Sequence, residues 1–152
     1  MSCIASLDIG TVRIGVAVSD ADRKVALAYG TIHVGQCADP WAEIGRILAQ
    51  EKITRVVVGW PLELDGSEGA AVRRTRQFLS RLRQQCPNLK IIPQDERLTS
   101  SAAEHALQEM ETRGSRKKAH VDAMAACLIL QMYLDRMQAA RSREVAGGGA
   151  AC

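Results

Sequence analysis

The chain has 152 residues and a formal net charge of +3, which is near the commonest size for one domain and too weakly basic for charge alone to demand a polyanionic partner. Hydrophobic residues make up 47% of it and aromatics only 3%, which excludes a disordered chain and calls for an aliphatic core. No apolar stretch reaches the ~20 residues of a membrane span, and Asp8 and Arg13 interrupt the first apolar run too early for a secretory signal, so a soluble, cytoplasmic protein is expected.

Three strands come first, over Cys3–Asp8, Val12–Ser19 and Val25–Val34, with Gly10-Thr11 and the polar Asp20–Lys24 as turns. This reads as an antiparallel meander. From Pro40 the pattern becomes helical: proline suits a first turn, and Trp41, Ile44, Ile47 and Leu48 recur at three-to-four spacing. Ile53–Pro61 is a β-branched run typical of a strand buried on both faces. The loop from Leu62 to Gly69 precedes a long helix, Ser67–Gln85, which Cys86-Pro87-Asn88 ends. A short strand, Leu89–Pro93, leads into QDERLTS. A helix then begins near Ser101, where Ser101 and Glu104 have the spacing of a capping box. The basic loop Thr112–His120 joins it to a last helix, Val121–Arg141, and residues 142–152 read as a disordered Gly/Ala tail. The order β-β-β-α-β-α-β-α-α predicts one mixed sheet with helices on its faces. The five cysteines (Cys3, Cys37, Cys86, Cys127, Cys152) show neither a CxxC pair nor zinc-ligand spacing and are read as reduced thiols.

Asp8 is the most informative residue. A strand disfavours aspartate, and an acid between two apolar runs is desolvated at a cost unless a cation or hydrogen bonds compensate. In this order the strand ends and the entry of the last helix can converge, bringing Asp8 together with Asp95, Glu96 and Asp122. Two or three carboxylates in one cleft repel unless a divalent cation neutralises them. Magnesium would do so and take its remaining ligands from water and phosphate. Each acid also has a plainer role: Asp122 as a helix N-terminal acid, Asp95 as an ion-pair partner of Arg97, Asp20 as a turn residue. Asp65 and Glu68 argue against a bare anion site in their loop. Arg73, Arg74, Arg76, Arg81 and Arg83 spread around one helix and read as solvated. Arg113, Arg116, Lys117 and Lys118 form a compact basic cluster ahead of Asp122, suited either to solvent or to a phosphate backbone. So few aromatics disfavour base stacking and point to shape and backbone charge, as in a structured duplex or junction.

SLDIGTVRIGVAVSD, VVVGWPLELDGSEG, DERLTS and HVDAMAACLILQMYLD occur in this order and together resemble the YqgF/RuvX family of small RNase H-like proteins. The resemblance covers about residues 4 to 138. It implies an α/β ribonuclease H-like fold, a mixed five-stranded sheet flanked by helices, over residues 1–141. It also implies a nuclease dependent on Mg²⁺ or Mn²⁺ that matures the 5′ end of pre-16S rRNA, with Asp8, Glu96 and Asp122 as metal-holding catalytic acids. Arg13, Asp65, Gly66, Arg97, Thr99 and Ser100 fall on motif positions as substrate contacts or scaffolding, and Arg116, Lys117 and Lys118 would bind the phosphate chain. Ile9 and Trp60 depart from the family's usual aromatic and smaller apolar residues. The alternatives are resolution of branched DNA (Holliday junctions) and non-catalytic binding of pre-ribosomal RNA during assembly. Asp-x-Gly-Thr also opens the phosphate loops of actin-like and sugar-kinase ATPases, but these need two such lobes and the length supplies one.

Overall fold

The structure is a computed structural model and describes residues 2–95 and 117–150, the side chains of 117–122 and 145–150 excepted. Its elements are β1 (Ile4–Ile9), β2 (Arg13–Ser19), β3 (Ala26–His33), α1 (Pro40–Gln50), β4 (Arg55–Trp60), α2 (Ala70–Gln85), β5 (Lys90–Asp95) and α3 (Lys117–Ala150). The strands form one sheet in the order β3-β2-β1-β4-β5. β1 pairs antiparallel with β2 and parallel with β4, so the expected meander and crossovers are joined at β1. Strand alternation then divides the core. Leu7, Ile14, Val16, Val56 and Val58 pack with Ile44, Ile47, Leu79 and Leu82 of α1 and α2, while Ile4, Ala17 and Val57 pack with Ala126, Ile129, Leu130 and Leu134 of α3.

The α3 side is built from small residues. Ser6, fully buried, donates its Oγ to the Ala126 carbonyl at 2.6 Å and lies opposite Ala17. Ser19 Oγ accepts the Ile4 N–H at 2.9 Å. Small side chains here let the helix backbone sit close to the sheet.

Several boundaries differ from the sequence expectation for physical reasons. β5 continues through Pro93 to Asp95, so Asp95 ends the strand rather than following it. An edge strand tolerates proline, which has no N–H to give to a ladder. α2 starts at Ala70 after Gly69, three residues later than expected, because the Ser67 hydroxyl is engaged by Asp65 at 2.6 Å and its carbonyl by the Glu63 N–H. α3 begins at Lys117, inside the expected basic loop, and runs to Ala150, past the expected end at Arg141. The tail read as disordered is thus helical to Ala150: no proline interrupts it and Arg, Glu and Ala favour helix, while Gly147–Gly149 continue it against their own propensity. The helix expected near Ser101 lies outside the described residues. Cys3, Cys37, Cys86 and Cys127 are free thiols, as expected of them. Among the described residues no helix is long and apolar enough to cross a membrane.

Asp20 is the turn residue its position suggests. Its Oδ1 accepts the N–H groups of Lys24 at 2.8 Å and Val25 at 3.1 Å. The bonds from Val25 and then Lys24 hold its pKa below the ordinary carboxylate value. A depressed folded-state pKa stabilises the fold above the unfolded-state pKa, and that contribution disappears as pH falls through the folded value. Asp20→Asn should therefore melt below wild type at neutral pH. In thermal melts at successive pH values the gap should close as pH falls below the ordinary carboxylate range; a gap that stays constant would contradict this role. Ser6→Val should destabilise by about 1–3 kcal/mol in denaturant titrations, because the added methyls lift α3 from the sheet.

Candidate active site

β1 carries Asp8 to the end of the sheet's central strand. Ile4, Ser6 and Asp8 alternate onto the α3 side, and Asp8 is half-buried there. Its partner on β2 is Gly15. On β4 the Leu7–Val58 pair brings Gly59 to the same level, and Gly59 in turn pairs with Gln94 of β5. The row Gly15–Asp8–Gly59–Gln94 thus gives Asp8 no side chain on either neighbouring strand. Glycine inside a strand has no side chain to pack and marks a place where a ligand or another backbone comes close. Arg13, two residues before Gly15 on β2, shares this side and is the diagonal neighbour of Asp8.

Gln94 closes the row. It is 3% exposed, Arg136 Nη1 reaches its Oε1 at 3.4 Å, and its Nε2 finds no acceptor among the described residues. A buried amide without an acceptor costs about 1–3 kcal/mol, so this donor is held level with Asp8, across Gly59, against the preference of the fold.

α3 approaches the same end of the sheet. Asp122 is a helical residue one turn before Ala126, whose carbonyl is bound by Ser6. One helical turn advances about 5.4 Å, and two strand residues from Ser6 to Asp8 advance about 7 Å. The α3 backbone therefore continues towards the level of Asp8. Lys117 and Lys118 belong to the first turn of this helix, not to a loop. Glu96, Arg97, Thr99, Ser100 and Arg116 lie outside the described residues. Asp95 alternates onto the side opposite Gln94, away from the α3 face. Among the described residues no three His, Cys, Asp or Glu gather as a ready metal cluster. The donor chemistry still suits a hard divalent cation: the described donor is a carboxylate on a glycine floor, and such ions take oxygen ligands.

The neighbouring turns are structural. Gly10 donates its N–H to the Arg13 carbonyl at 2.9 Å, and a Cβ on Gly10 would lie 2.6 Å from that oxygen. The Gly-Thr pair is a tight strand turn that needs glycine. Asp65 Oδ1 accepts both the N–H of Ser67 at 2.9 Å and its hydroxyl, and Gly66 takes the left-handed φ of 87° that this loop requires. Glu68 pairs with Arg76 at 2.8 Å, and the Arg76 guanidinium lies 5.5 Å from the centre of the Trp60 ring. Trp60 thereby braces the loop, which accounts for a large ring at that position. Gly15, Gly59 and Gln94 escaped the sequence reading. The two glycines acquire meaning only from strand register, and Gln94 was hidden beside two acids.

A family model described as RuvX: Holliday junction resolvase matches residues 2–136. A protein of Sulfurihydrogenibium sp. (strain YO3AOP1) named "Putative pre-16S rRNA nuclease" is 41% identical over 138 residues, covering 90% of this chain and 92% of that protein. One of the same name from Chloroflexus aurantiacus is 39% identical over 146 residues, covering 93% and 94%. Among solved structures, T. thermophilus RuvC in complex with a Holliday junction substrate matches with a TM-score of 0.56 at 17% identity, over 91% of this chain and 97% of that one. The Fowlpox virus resolvase complex with Holliday junction DNA matches with 0.53 at 11% identity, over 89% and 98%. The structural matches establish the ribonuclease H-like fold. The sequence matches establish the family: this chain belongs to the RuvX (YqgF) family.

Proposed function

We propose that the protein is a divalent-metal-dependent nuclease acting on structured RNA, in maturation of the 5′ end of pre-16S rRNA. The observation that carries this reading is the half-buried Asp8, flanked on both neighbouring strands by glycine and approached by the helix that bears Asp122. Asp8, Glu96 and Asp122 would hold Mg²⁺ or Mn²⁺. Such a metal activates a water and stabilises the leaving oxygen in phosphodiester hydrolysis.

The chain's own residues bind and orient. Asp8 enters a cradle that two glycines keep clear, so a phosphate can come close to the sheet. Arg13, on the same side, supplies positive charge next to that phosphate, and Arg97, Thr99, Ser100, Arg116, Lys117 and Lys118 extend the contact along the nucleic-acid backbone. The buried Gln94 amide, across Gly59 from Asp8, would shape the floor of that cradle without touching the phosphate. Branched DNA is the second substrate reading, favoured by the description of the matching family model.

Pre-16S rRNA 5′-end fragments and synthetic four-way junctions, each incubated with and without manganese, test both readings. The RNA should be cut only with metal, and Asp8→Asn should slow cutting by at least about 100-fold, since even partners behind the metal ligands change activity 10–100-fold. Wild type that cuts neither substrate, or Asp8→Asn that cuts as well as wild type, would refute the mechanism. Gln94→Leu separates function from stability. The change removes an amide whose Nε2 lacks an acceptor among the described residues together with the long 3.4 Å bond from Arg136 to its Oε1, so the melting temperature should change little, while cleavage should fall about tenfold as the floor of the cradle is disturbed, the scale of groups behind metal ligands.

A further inference from the structure

On the opposite side of β1 from Asp8, the next residues of the chain open into a second cleft. Ile9, Gly10 and Thr11 form one wall, and Trp41 of α1 with Arg74 and Phe78 of α2 form the other, around a cavity of about 330 Å³. This is the lower end of the size range of small-molecule sites, which combine apolar and aromatic walls with a few polar groups. Nothing in the proposed metal-site mechanism uses it.

Three features define what it would take. The aromatic wall is set in advance: the Trp41 and Phe78 rings lie 5.0 Å apart, the Trp41 N–H donates to the Phe78 carbonyl at 3.0 Å, and the Arg81 guanidinium covers the Trp41 ring at 3.9 Å. The hydroxyl deepest on the helix side is already engaged, since Thr75, 3% exposed, donates its Oγ1 to the Ala71 carbonyl at 3.0 Å. A planar ligand would therefore be held by ring and apolar contact and not read by its edge. The rim is cationic: Arg74 is exposed and has no ion pair or hydrogen bond to any described residue, the first turn of α2 holds no acid, and Arg73 stands beside it.

An apolar aromatic slot with a spare guanidinium at its mouth matches a flat heterocycle that carries an anion. We propose that this cleft is a nucleotide subsite, with the base against Trp41 and Phe78 and the phosphate on Arg74. The inference rests on the nuclease reading in one respect, that the nucleotide belongs to the substrate strand. Asp8 and Ile9 are adjacent on β1 and alternate to opposite faces, so a strand crossing this end of the sheet presents one phosphate to Asp8 and seats a neighbouring unpaired nucleotide behind the turn. Because the base edge is not read, all four bases fit, and sequence preference at this position is weak.

With Trp60→Phe as background, Trp41 is the remaining one of the chain's two indoles and reports directly on the cleft. AMP, GMP, CMP and UMP should each change its fluorescence saturably, and ribose 5-phosphate should not. Arg74→Glu, a surface change, should weaken this binding by about tenfold or more, the worth of a hydrogen bond to a charged group. Ala71→Leu, checked for folding by circular dichroism, should fill the cleft and abolish it. Displacement of the mononucleotide by a short single-stranded oligonucleotide supports the strand as its source, and mononucleotide binding that the oligonucleotide leaves untouched supports a free nucleotide. No saturable signal, an equal signal from ribose 5-phosphate, or full binding by Arg74→Glu overturns the proposal. The Asp8→Asn protein should bind nucleotides as wild type does. Cleavage without cleft binding would sink the subsite alone, and cleft binding without cleavage of any substrate would sink the nuclease reading while the subsite stands.

Discussion

The close seating of α3 on the small-residue side of β1 and β2 is the constraint on which the rest depends. A serine hydroxyl in a fully apolar layer must find an acceptor, and Ser6 finds it in the α3 backbone at Ala126. That bond and the small Ala17 opposite Ser6 set both the distance and the register of the helix on the sheet. Each turn back towards the start of α3 is then referred to the strand position about two residues further along β1. The turn of α3 before Ala126 and the end of β1 are related in this way, so a packing requirement in the core decides which part of the helix backbone lies level with the strand end.

Strand alternation gives the end of β1 two different surfaces. Asp8 faces a floor cleared by Gly15 and Gly59, and Ile9 begins an aromatic cleft beneath Trp41 and Phe78. The tight turn at Gly10 keeps the two close, because its N–H closes on the Arg13 carbonyl and leaves no space for a side chain. Short glycine turns and small strand residues therefore do at this end what bulk aliphatic packing does in the middle: they bring the backbone near to something. The arginines of α2 have unequal roles for the same reason. Arg76 and Arg81 are engaged by aromatic rings and Glu68, while Arg74 lines the mouth of a cleft and pairs with none of the described residues.

Much of the fold was legible in the sequence. The meander, the doubly buried run of β4 and the proline-led start of α1 follow from period, composition and turn residues, and the five-stranded sheet has the expected mixed order. The ends of elements were less legible. Pro93 looked like a stop and is an edge-strand residue, Ser67 looked like a helix cap and is held by Asp65, and Lys117 looked like loop and is helix. In each case a partner distant from the local pattern decides the outcome. Of the candidate site, Asp8 was visible because an acid between apolar runs breaks a local rule. Gly15, Gly59 and Gln94 break none, and only the register of neighbouring strands gives them a role.

The sequence by itself determined which residues carry charge, where the chain must turn, and that one domain with an aliphatic core would form, because these follow from local preference and hydrophobic period. It also carried the motifs of the family. Only the tertiary structure decided that Asp8 lies between two glycines, that an amide is buried across one of them with no acceptor among the described residues, and that the opposite side of the same strand opens into an aromatic cleft. Those facts depend on strand register and helix seating, which are set by contacts between residues tens of positions apart, and no local pattern encodes them.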